Sequence, residues 1–173
     1  MVFAHRTRRP RPARHRKQVW LVRMSDAPPI LIVDDQVKLL RLVTELMNRL
    51  GFPEVDGATD GPQALEMLRA RKYGLVISDL DMEPMDGIQL LREIRADDTL
   101  VNTPFILTET AFGFEDINVA HLAGADAFIL KPFDLALLKA KLKQVLNRRP
   151  RKRERVPPSD SPLTSEFPML GKV

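Results

Sequence analysis

The chain has 173 residues, enough for one domain with extensions, and its 44% apolar and 29% charged content suits a globular core. It contains no cysteine, which excludes a disulfide framework, a thiolate zinc site and a cysteine nucleophile; no apolar run approaches the roughly 20 residues that a membrane helix needs. The net charge of +4 is unevenly spread: residues 1–24 carry eight Lys or Arg and no acid, residues 148–173 carry seven against three acids, and residues 25–147 carry 12 against 20, a net −8.

The first 23 residues, MVFAHRTRRPRPARHRKQVWLVR, are rich in Arg and Pro and lack an apolar stretch of signal-peptide length before the arginines. Met24 opens MSDAPPILIVDD, a natural start for a compact unit, so residues 1–24 read as a basic extension rather than a nucleic-acid arm. With no secretion signal, the cytoplasm is the expected location. The compact unit spans 25–147. Within it, Ile30–Val33 reads as a buried strand and Gln36–Leu50 as a helix with Leu39, Leu40, Val43, Leu46, Met47 and Leu50 along one side. Gly51 is placed to end that helix. Glu54–Ala58 is a weaker strand. Asp60 is the expected N-cap of a second helix, with Pro62 in its first turn. Leu75–Ser78 is a third strand, Ile88–Arg95 a helix, Phe105–Thr108 a fourth strand, Glu115–Leu122 a helix and Ala127–Leu130 a fifth strand. Asp134 can cap a last helix running through Leu146. Residues 148–173 have the composition of a disordered basic, Pro-rich tail.

Strands alternating with helices predict an α/β fold, a doubly wound five-stranded parallel sheet. Right-handed crossovers put every strand's C-terminal end on one edge, where ligands bind in such sheets. Asp34 and Asp35 directly follow the first strand, Asp79 the third and Lys131 the fifth, so charged groups distant in sequence converge there. Clustered carboxylates repel one another unless a cation joins them. A hard divalent cation such as Mg²⁺, with oxygen ligands, fits; the absence of His and Cys near these strand ends disfavours zinc. Acids, Mg²⁺ and a lysine together describe a phosphoryl-transfer site, in which a carboxylate can itself be the acceptor.

Three stretches carry a further signal: ILIVDD (30–35), VISDLDMEPMDG (76–87) and FILKPF (128–133), with 44 residues from Asp35 to Asp79 and 52 from Asp79 to Lys131. In that order and spacing the chain, over about residues 28–147, resembles a response-regulator receiver domain of the single-domain chemotaxis type. The resemblance implies a flavodoxin-like sheet order 2-1-3-4-5. It implies Asp79 as phospho-acceptor, with Asp34, Asp35, Asp79 and the backbone carbonyl of Asp81 around Mg²⁺. Lys131 would contact the phosphoryl oxygens, with a cis Lys131–Pro132 bond, and Phe128 would be the switch aromatic. Asp86-Gly87 would start the next helix, with Gly87 permitting a tight turn. The implied partners are a histidine kinase or phosphotransfer protein and an output protein of unknown identity, reached through a face including Leu135, Leu138 and Lys139; neither membrane nor nucleic acid is expected. Such a domain is not an enzyme in the usual sense, since it catalyses only its own phosphorylation and dephosphorylation.

One position departs from the family. Its Thr or Ser at the end of the fourth strand corresponds, 30 residues after Asp79, to Glu109, flanked by Thr108 and Thr110. Glu109 or Thr110 is therefore the candidate for the switch position, and Thr108 a third. Glu109 there would oppose a phosphoryl group, and could pair with Lys131 before phosphorylation. This leaves a rival reading, a module that binds partners without phosphorylation. A Mg²⁺-dependent phosphohydrolase is a weaker rival, for which Asp81 has the spacing of a second catalytic acid. More ordinary roles stand beside the sharp ones: Asp34 and Asp35 as helix-capping acids, Glu83 and Asp86 as loop or capping residues, and His121 as a surface histidine.

Overall fold

The computed structural model describes residues 27–111 and 113–147. Five strands alternate with five helices: β1 (Ile30–Val33), α1 (Val37–Arg49), β2 (Val55–Ala58), α2 (Gly61–Ala70), β3 (Leu75–Asp79), α3 (Gly87–Ala96), β4 (Phe105–Glu109), α4 (Phe114–Leu122), β5 (Ala127–Leu130) and α5 (Leu135–Leu146). All strand pairs are parallel and the sheet order is β2-β1-β3-β4-β5. The expected doubly wound fold and its strand order are therefore present. The basic end segments and the reading of Met24 as a start lie outside the described residues.

Alternation along the strands divides the core into two layers. Leu31, Val33, Val76, Phe105 and Leu107 face α2, α3 and α4. Ile30, Ile32, Ile77, Ile106 and Ile129 face α1 and α5. Central β1 and β3 are buried along their whole length, which their continuous apolar runs require. The weak signal of β2 (VDGA) has a plain cause: it is an edge strand, buried fully only at Ala58.

Local chemistry sets the helix ends. Gly51 takes a positive φ of 89° just after α1, where a side chain would be strained. Asp60 caps α2 by accepting the Gln63 N–H at 2.7 Å, with Pro62 in the first turn. Asp86 and Gln89 form a reciprocal capping box on α3. Asp134 accepts the Leu137 N–H at 2.8 Å to cap α5.

One expectation needs correction, and another rests on a different physical reason. Gly87 does not have a positive φ. What the position requires is closeness: a Cβ there would stand 2.2 Å from the Asp79 carbonyl oxygen and 2.8 Å from Leu107 Cδ2. Leu138 is fully buried rather than part of a docking face, because it packs in the α1–α5 layer with Leu142 and Val145. Strands three and four are also each one residue longer than expected, so Asp79 and Glu109 are themselves the last strand residues.

Arg95 is an unusual core residue, 2% exposed. Its guanidinium donates to the carbonyls of Val101, Thr103 and Gly124 and pairs with Asp126, whose carboxylate also accepts the Phe105 N–H. It thereby ties the α3–β4 and α4–β5 connections together at the end of the sheet opposite the charged strand ends.

Candidate functional site

The site lies where the strand order reverses, between adjacent β1 and β3. Asp34 follows β1 and is buried, with Oδ1 accepting the Gln36 N–H at 2.9 Å. That bond leaves Gln36 as the N-cap of α1, with no side-chain cap, so Asp34 does not cap the helix. Asp35 is exposed at the rim. Asp79 ends β3 and is only 4% exposed; its Oδ1 accepts the Leu80 N–H at 2.9 Å. Lys131, just beyond β5, reaches across: its Nζ stands 3.0 Å from Asp34 Oδ2 and 2.9 Å from Asp79 Oδ1. The Lys131–Pro132 peptide is cis, as expected, and so is Glu83–Pro84.

The charges do not balance. Among the described residues, Asp34, Asp35 and Asp79 each offer a carboxylate oxygen, all within 4.8 Å of one another, against the ammonium of Lys131. Burial pushes the Asp79 carboxyl above its ordinary value; the charge of Asp34 adds to that, and Lys131 and the Leu80 N–H oppose it. Burial alone would lower the Lys131 pKa, but its bonds to Asp79 and Asp34 raise it above its usual value. The donor set is all oxygen and its negative charge exceeds the positive, which fits a hard divalent cation of the Mg²⁺ kind. Among the described residues, Leu80 and Lys131 both approach Asp79 on Oδ1.

The remaining predicted residues are distributed as follows. Asp81 is exposed on the turn after β3. Phe128 is half-buried against the α2–α4 layer, in register with Leu107. Thr108 is buried opposite Asp79 in the ladder, and its hydroxyl donates to the Ser78 carbonyl at 3.3 Å. Glu109, partly buried, ends β4 two residues beyond Leu107. It does not pair with Lys131: the ammonium is taken by Asp34 and Asp79, and Glu109 Oε1 accepts from Thr110 instead, from N–H at 2.5 Å and from Oγ1 at 2.6 Å. Sequence reasoning missed the Leu80 and Gln36 amides, because backbone donors carry no residue signature.

The chain is similar to known proteins in both sequence and fold. The family model described as "Response regulator receiver domain" matches residues 30–143. "Chemotaxis protein CheY-3" of Vibrio cholerae is 40% identical over 119 residues, covering 69% of this chain and 92% of that protein. The crystallised chemotaxis protein CheY4 of Vibrio cholerae is similar with a TM-score of 0.66 at 28% identity, over 69% of this chain and 99% of the other. The receiver domain of a sensor histidine kinase from Pseudomonas aeruginosa, described with a magnesium ion coordinated in its active site cleft, is similar with a TM-score of 0.65 at 25% identity, over 70% and 99% of the two chains.

Proposed function

The chain belongs to the response regulator receiver domain family, a signalling domain rather than an enzyme acting on outside substrates, and on that premise we propose that Asp79 accepts a phosphoryl group from a phosphohistidine on a partner kinase or phosphotransfer protein. The observation that carries this reading is the state of Asp79: buried at a strand end and approached on Oδ1 by Lys131 and the Leu80 N–H.

In the transfer, a P–O bond forms to Oδ2 as the P–N bond to the donor imidazole breaks. Its electron pair returns to the ring nitrogen, and the imidazole, protonated on its other nitrogen, leaves neutral. The Leu80 N–H fixes the rotation of the carboxylate, so the attacking oxygen is positioned in advance. Lys131 already stands within 3.0 Å of both buried acids, and it supplies positive charge to the transferred oxygens. Asp34, Asp35 and Asp79, with the Asp81 carbonyl, would hold Mg²⁺, which supplies charge neutralisation for the phosphoryl group.

The added charge then biases the end of β4, α4 and Phe128, and the output is a protein contact. The exposed apolar residues Ile117, Leu122, Leu130 and Leu137 on α4, β5 and α5 supply that surface in place of the buried Leu138. The names of the relatives favour chemotaxis-type signalling. Glu109 at the end of β4 favours a second reading, partner binding without phosphorylation.

Beryllofluoride, a phosphoryl mimic, separates the two. The full chain with Mg²⁺ should show saturable amide NMR shifts around Asp79, Glu109 and Phe128 that are absent from Asp79→Asn. No response despite Mg²⁺ binding would favour the second reading.

A further inference from the structure

The end of β4 lies between the acceptor strand and the lysine strand. The Leu80 N–H donates to the Thr108 carbonyl at 3.0 Å on one side, and the Lys131 N–H donates to the Glu109 carbonyl at 2.7 Å on the other. This edge is therefore flanked in the sheet by the strands that carry Asp79 and lead into Lys131. Yet the side chain at its end is a carboxylate, and the nearby ammonium is engaged elsewhere. Both side-chain bonds to Glu109 come from its neighbour: one oxygen, Oε1, takes the amide and the hydroxyl of Thr110 together. Two donors suited to a phosphoryl oxygen are thus occupied by an internal anion.

We propose that Glu109 and Thr110 form a latch, in which the Glu109 carboxylate holds the Thr110 N–H and hydroxyl until an anion on Asp79 displaces it and claims them. The proposal rests on Asp79 being the acceptor. Glu109 is here a positioning residue: it acts through Thr110 and through repulsion, without bonding to the phosphoryl group. Like charges in this cleft raise the threshold for occupancy, and an incoming dianion breaks the latch by the same repulsion.

The next element is suited to respond. Thr110 leads into α4, whose start is held by the Gly113 N–H on the Asp116 carboxylate at 2.9 Å. Among its described side chains, α4 meets the core through the small Ala120 and its C-cap Ala123, while Ile117, Val119 and Leu122 are exposed. Among the described side chains of α4, those in the core are small and those exposed are apolar, so release of Thr110 can be passed to that exposed face.

The test measures beryllofluoride affinity of the full chain at saturating Mg²⁺, following the Thr110 amide by NMR. Variants are Glu109→Ala, Glu109→Gln, Thr110→Val and the Glu109→Ala/Thr110→Val double. Glu109→Ala should bind about tenfold more tightly, because repulsion is removed and both donors are freed. Glu109→Gln removes the charge but keeps an acceptor for Thr110, so it should fall between wild type and Glu109→Ala. Thr110→Val should weaken binding more in the Glu109→Ala background than in wild type, and this non-additivity is the signature of the latch. The Thr110 amide should move on ligand binding in wild type, and should already stand near its ligand-bound position in free Glu109→Ala. Unchanged or weaker binding by Glu109→Ala, or strictly additive effects, would overturn the latch while leaving the acceptor reading intact. No binding by wild type or any variant would overturn both.

Discussion

Replacing Lys131 by methionine keeps the length and bulk of the side chain and deletes its ammonium from among Asp34, Asp35 and Asp79. At an effective dielectric near 20, each contact at about 3 Å carries roughly 5–6 kcal/mol of attraction, set against several kcal/mol for desolvating the ammonium. Asp34 and Asp79, with oxygens no more than 4.8 Å apart, would then repel each other by about 3.5 kcal/mol at the same dielectric, with no compensation. Breaking a buried pair in this way should cost about 3–5 kcal/mol at pH 7. Urea unfolding across pH reads the sign as well as the size. The Lys131 pKa is raised in the folded state, so its contribution is fully present below its ordinary value of 10.5 and is lost as pH rises through the folded value. On the acid side the deficit of the variant should shrink as the stranded carboxylates protonate. Added Mg²⁺ should restore part of the loss. A cost under about 1 kcal/mol, or one independent of pH, would refute the view that Lys131 holds the buried acids together.

Three further outcomes follow from the packing. Tyr73 is the single tyrosine of the chain; burial, aided by its bond to Asp56, raises its pKa to about 12, so tyrosinate absorbance of the folded protein should titrate well above 10 and revert on unfolding. Because the folded value is the higher one, this group makes stability fall as pH rises from about 10 towards 12, and Tyr73→Phe should lack that component. Gly87→Ala drives a methyl against the Asp79 carbonyl and should cost about 1–3 kcal/mol or more in denaturation, and should also weaken beryllofluoride binding by displacing the acceptor. Leu138→Ala should cost about 2–5 kcal/mol, whereas Leu137→Ala, on the exposed side, should stay within about 0.5 kcal/mol; equal effects would contradict the burial assignment of α5.

Much of the fold was legible because β1, β3 and β5 are short apolar runs with an acid or a lysine at or just beyond their C-terminal ends. A parallel sheet turns that pattern into a charged edge. The caps at Asp60, Asp86 and Asp134 were equally readable, since a carboxylate before a helix has one dominant use. Leu138 was misread because the apolar positions of α5 are broad: Leu135, Leu137 and Leu138 all satisfy a helical face, and only the position of α1 decides which one is covered. The role of Gly87 was hidden because a close approach to the carbonyl of Asp79, at the end of the preceding strand, leaves no trace in local sequence. The Glu109–Thr110 bond was hidden because the sequence suggested a long-range partner, Lys131, while the lysine was already taken by two closer acids.

The central claim is that Asp79 is the phosphoryl acceptor. The most direct measurement incubates the full chain with Mg²⁺ and a small phosphodonor, such as phosphoramidate, and maps the product by mass spectrometry. One phosphoryl group should appear on the peptide containing Asp79, and it should be absent without Mg²⁺ and in Asp79→Asn. Modification of another residue, or none where the donor phosphorylates a control receiver domain, would contradict it.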